Sequence, residues 1–237
     1  MRKIVSAIGL CLLMASCAKE KPKGNLQITG NIEGLKKGTL YIKHIKDTSL
    51  VAIDTINIDG DSHFESWLEL PSPEMYYLVL DRGVTNSLDD KIPFFAEPGK
   101  MTIDTKLDQF FTQAKITGSK NQKLYEDYRK ILARYTGKNL DLTEILLRKQ
   151  HAKVTTGVDS ITALQNRTTK SQYLFAVNFA KNNGKYEVAP YITLSDIPNI
   201  RLEYLEIIYK AMSPKVASSY YGKKLTAFYN ERKKMGQ

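Results

Sequence analysis

The side chains able to do chemistry are few and scattered. The histidines are His44, His63 and His151. They stand singly, whereas a zinc site draws on His or Cys at short paired spacings. Places in a sheet or on the surface are therefore expected for them, with no metal and no other cofactor. Asp59-Gly60-Asp61-Ser62 has the residue types of a calcium loop but lacks the alternating acids and terminal Glu of an EF-hand. The same residues suit a hairpin turn, which is the expectation here. Asp89-Asp90 reads as a solvated loop. The motifs CxxC, HExxH, GxSxG, GxxxxGK[ST] and GxGxxG do not occur, so the sequence predicts no catalytic residues. A hydrolase built on two converging carboxylates needs a cleft that spacing alone cannot show, and it ranks last.

The cysteines are Cys11 and Cys17. Arg2 and Lys3 precede an apolar run, Ile4 to Met14, too short for an ordinary membrane-spanning helix. Met14-Ala15-Ser16-Cys17 then resembles a bacterial lipobox, in which small residues lead to a cysteine that carries lipid. Residues 1–16 are expected to be a lipoprotein signal peptide, Cys17 the lipidation site and residues 17–24 a polar tether. Acyl chains plus Lys19, Lys21 and Lys23 would supply two-signal anchoring. Ala18 stands where Asp is associated with inner-membrane retention. The expected location is the cell envelope, at the outer membrane.

The elements follow two periods. From residue 25 to 118, short β-branched and aromatic runs alternate with polar residues and are punctuated by Gly, Pro and Asp. About eight strands at this spacing predict an antiparallel β-sandwich-like domain. From residue 119 to 237 the period becomes helical. Ser119 with Gln122 reads as a capping box. Gly137 is expected to end the first helix, and Asp141 with Glu144 to open a second. Ser213-Pro214 begins a late one. About five helices are predicted, and the class is α+β.

Several stretches resemble one family. They are Ile28-Thr29-Gly30-Asn31-Ile32-Glu33-Gly34-Leu35, Asp54-Thr55-Ile56-Asn57-Ile58, Glu97-Pro98-Gly99-Lys100-Met101-Thr102-Ile103 and Ala114-Lys115-Ile116-Thr117-Gly118-Ser119. They look like the N-terminal domain of unknown function of exported thioredoxin-like thiol-disulfide lipoproteins. Met212 to Val216 and Ser219 to Leu225 resemble the helical linker that follows it. In that family a thioredoxin-like domain carries CxxC. This chain stops at Gly236-Gln237 without it, so the family's redox activity is not expected of any residue here. Exchange needs a thiolate, and lipidation would occupy Cys17.

The expected function is thus a lipid-anchored, non-catalytic envelope module, a scaffold or a recognition element for clients or partners. One alternative is a binding module for a peptide, glycan or cell-wall ligand, with Trp67, Tyr76, Tyr77, Phe94 and Phe95 as stacking surfaces or as core. Another is a truncated oxidoreductase whose catalytic domain lies beyond this chain. The net charge is +10. Lys223-Lys224 and Arg232-Lys233-Lys234 lie among Tyr220, Tyr221 and Tyr229. That pattern fits a helix with one aromatic face, and anionic lipid is a more economical partner for it than nucleic acid. The expected partners are the membrane, through the anchor, and an envelope protein or glycan.

Overall fold

The computed structural model describes residues 24–46, 48–83 and 87–236. The expected signal peptide, the expected lipidation site Cys17 and nearly all of the expected tether lie outside them. Eight strands come first: β1 (Leu26–Glu33), β2 (Lys37–Lys46), β3 (Ser49–Asp59), β4 (His63–Leu68), β5 (Glu74–Leu80), β6 (Lys91–Ala96), β7 (Gly99–Lys106) and β8 (Lys115–Thr117). Six helices follow: α1 (Lys120–His151), α2 (Val158–Asn182), α3 (Val188–Asp196), α4 (Leu202–Ala211), α5 (Pro214–Ala217) and α6 (Tyr220–Lys234).

The strands form two four-stranded sheets, ordered β4-β1-β7-β8 and β3-β2-β5-β6. The α+β architecture is as expected, with one change. β1 pairs antiparallel with β4 but parallel with β7, Ile28 lying opposite Met101, so the first sheet is mixed. In β1 the alternation works directly: Leu26, Ile28 and Ile32 are fully buried, on one face of the pleat. Gly30 shares that face. A Cβ there would sit 2.0 Å from the Ile103 carbonyl oxygen and 2.6 Å from the Phe64 ring, so only glycine lets the strands close.

The Asp59 to Ser62 turn also differs from expectation. It does not join neighbours in one sheet. It carries the chain from β3, paired with β2, to β4, paired with β1. Asp61 Oδ1 accepts from the His63 amide at 3.0 Å, a local turn that needs no ion. Asp89-Asp90 is not a solvated loop either. Asp90 is buried and meets Arg82 Nε at 2.7 Å, and Asp89 Oδ1 accepts from the Phe111 amide.

Two apolar cores result. The first lies between the sheets, around Ile28, Leu40, Leu78, Phe94 and Ile103. The second joins Met75 and Phe95, from the outer face of the second sheet, to Tyr128, Val177, Ile192, Leu205 and Leu225 of the helices. β5 is therefore covered on both sides. This explains why MYYLVL runs apolar without a break. β6 splits between the cores, Phe94 facing inward and Phe95 facing the helices.

Gly137 does not end a helix. α1 runs through it to His151, so the expected cap at Asp141 is interior helix, and Glu144 instead pairs with Arg148 one turn on. A mid-helix glycine costs about 1 kcal/mol relative to alanine. α2 lies alongside and offsets that. Asn139 Nδ2 donates to Thr169 Oγ1 at 3.2 Å, and Gln165 Nε2 to Thr143 Oγ1 at 2.8 Å.

Candidate functional site

The sandwich and the helices meet at a polar clasp. Ser119 caps α1 as expected, its Oγ accepting from the Gln122 amide at 3.0 Å. Gln122 does not complete the capping box. Its Oε1 accepts from the Phe95 amide at 2.7 Å and so covers the open edge of β6. Glu97, just after β6, accepts from Ser119 Oγ at 2.8 Å and the Asn121 amide at 3.0 Å. A carboxylate at a helix N-terminus also complements the helix dipole. Asn121 is 1% exposed. Its Oδ1 accepts from the Val188 amide at 2.9 Å, and its Nδ2 donates to Glu187 at 3.0 Å and Glu97 at 3.3 Å. One side chain thus ties the sandwich, α1 and the start of α3 together.

On the same face of the second sheet, a cleft of about 370 Å³ lies between β2 and β5 on one side and α3 and α6 on the other. Its walls include Tyr77, Tyr191, Tyr220 and Tyr221, with His44 and Glu74 at the strand side and Lys224 at the helix side. A second lobe of about 540 Å³ shares Glu74, Tyr220 and Lys224 and is bordered by Ser72 and Lys223. Two hydrogen bonds hold the helical wall to β5 and the bend before it: the Tyr220 amide donates to Ser72 Oγ, and the Met75 amide to Tyr221 Oη, each at 3.2 Å. Ser219 caps α6, accepting from the Gly222 amide. That cap fixes where Tyr220 and Tyr221 emerge.

The rings form one cluster. Tyr191 lies 5.0 Å from Tyr221 and 5.6 Å from Phe95 between ring centroids, both edge-on. Such pairs add about 0.5–1.5 kcal/mol each beyond area burial. Burial pushes the Tyr191 and Tyr221 hydroxyls well above the usual phenol range. They therefore remain neutral at physiological pH. Burial, then the nearby Glu74 charge, pushes Tyr76 up to about 12. Glu74 itself is 8% exposed. Burial raises its carboxyl, while the Ser72 hydroxyl and the Lys224 charge pull the other way.

The aromatic residues singled out in the sequence separate in space. Tyr77 lines the cleft. Tyr76 and Phe94 belong to the sandwich core and Phe95 to the helical core. Trp67 is half-buried, its Nε1 donating to Glu65 at 3.0 Å. The helical half of the aromatic wall was legible only as a helix face. His44 stacks on Tyr76 at 5.5 Å, His63 bonds Asp61 and His151 ends α1. Among the described residues no three His, Cys, Asp or Glu side chains are placed to hold a metal. Lys223 and Lys224 reach the cleft. Lys233 sits 5.7 Å over the Tyr229 ring.

The β-rich half matches a family model described as a domain of unknown function. Residues 26–125 match the DUF4369 model. The match extends past β8 into the first turns of α1. It therefore takes in Glu97, Ser119, Asn121 and Gln122, the DUF4369 side of the clasp, and Glu74 and Tyr77 of the cleft. Comparison with curated proteins finds no match. No helix of the described residues is long and apolar enough to cross a membrane.

Proposed function

We propose that the chain is a lipid-anchored, non-catalytic module of the cell envelope, tethered through Cys17, and that the cleft between its DUF4369 domain and its helices recognises a client or partner. The cleft carries this reading. Its walls combine rigid tyrosine rings with a few placed polar groups, the composition expected of a recognition pocket. It also lies where both bodies contribute, so the helices act as part of the site rather than as a spacer. The resemblance to the accessory region of thioredoxin-like lipoproteins supports the same role: presenting clients beside a redox partner instead of reacting with them.

A photo-crosslinking residue placed at Lys223, on the cleft rim, tests the reading in intact cells. It should yield a discrete envelope adduct that the same residue at Lys130, exposed on α1, does not. Equal adducts from both positions would overturn it. Cys17→Ser tests the anchor. It should abolish fatty-acid labelling and release the protein from the membrane fraction.

A further inference from the structure

We propose that the cleft takes the basic side chain of a peptide, an ammonium or guanidinium on an apolar stem; this rests on the cleft being the recognition surface. Glu74 is the decisive group. It borders both lobes and is more than nine-tenths buried. Its hydrogen-bond partner among the described residues is the Ser72 hydroxyl at 3.4 Å, longer than an ordinary O–H···O bond. An ionised carboxylate offers about four acceptor positions, so most of this one's capacity remains unused. An apolar ligand seated there would cover the carboxylate and leave it unpaired, which is costly. An anion set directly against the Glu74 carboxylate would be repelled by it. A cation carrying N–H donors supplies what is lacking.

The walls suit the rest of such a side chain. Ile45, Met75 and Leu194 are apolar surfaces for a stem, and tyrosine faces attract cations. The chain already shows this contact internally, since Lys224 Nζ sits 4.4 Å over the Tyr220 ring. Lys224 occupies part of the position a ligand cation would take and competes with it. Lys223 borders the outer lobe, where a peptide presents backbone carbonyls that accept from it.

Calorimetric titration of the full chain with an acetylated Gly-Lys-Gly amide, against the same peptide with uncharged norleucine for Lys, tests this. The Lys peptide should bind about tenfold tighter, the order expected for a charge-assisted hydrogen bond. Glu74→Gln should erase that preference. Lys224→Met, which removes the competitor, should strengthen binding severalfold and keeps the test independent of how Glu74→Gln folds. Equal binding of the two peptides, absence of binding at about 10 mM, or weaker binding by Lys224→Met would overturn the proposal. A rim crosslink without Lys selectivity would reject this ligand class alone. Loss of both would reject the recognition reading as well.

Discussion

Asn121 shows how much of this structure rests on single polar side chains. Replacing it with Ala leaves the Val188 amide and the Glu187 carboxylate without their buried partner. A loss of about 1–3 kcal/mol in urea-denaturation free energy is expected; a change under 0.5 kcal/mol, within about the scatter for neutral surface substitutions, would mean that water replaces it. Glu74 makes a pH-dependent prediction. Its folded carboxyl titrates above the ordinary glutamate value of 4.5, raised chiefly by burial. Between that value and the raised one, the native state holds a proton that the unfolded chain has lost. Stability from this group therefore falls as pH rises through the window. Lys224 and Tyr221 from α6, with Ser72 and Tyr76 beside it, also face this carboxyl. The thermal midpoint of Glu74→Gln should exceed that of wild type at pH 7, and the gap should close toward pH 4. At this scale the sequence was least legible. The partners of Asn121 stand at Glu97 and Glu187, and no local pattern links positions that far apart. Adjacent Phe94 and Phe95 look identical in sequence yet serve different cores, because a strand sends neighbours to opposite faces.

At the scale of elements, periodicity read the strands well because one face of each alternates against a core. It failed where packing overrides a local signal. Gly137 and the Asp141/Glu144 spacing both announce a helix boundary, and α2 packed alongside suppresses it. A Cβ at Gly137 would meet nothing within 4 Å. Gly137→Ala should thus stabilise the protein by about 0.5–1 kcal/mol and raise its melting temperature by a few degrees. A drop in melting temperature would show that the helix needs the glycine as a bend. Gly30→Ala should do the reverse. Its Cβ would strike the backbone of β7, and circular dichroism should show lost cooperativity or failure to fold. The unbroken MYYLVL run was legible as a strand, but what covers its second face was not, since that cover comes from helices far along the chain.

For the whole molecule, the two-body plan was legible because the hydrophobic period changes near Gly118. The cleft was not, because it exists only where the bodies meet. Disulfide reduction assayed on this chain with insulin as substrate is expected to stay at the level of a thiol-free control. Turnover above it would refute the non-catalytic reading. The parallel pairing of β1 with β7 has a temporal consequence. β1 lies in the middle of its sheet, yet one of its neighbours is a strand some seventy residues downstream. A chain delivered N-terminus first, whether from a ribosome or through a translocation pore, cannot give its first strand both neighbours until Lys106 has emerged. Contacts that span so much sequence slow folding. During that interval the half-built sheet presents an unpaired edge of backbone N–H and C=O groups, a template on which another chain can pair.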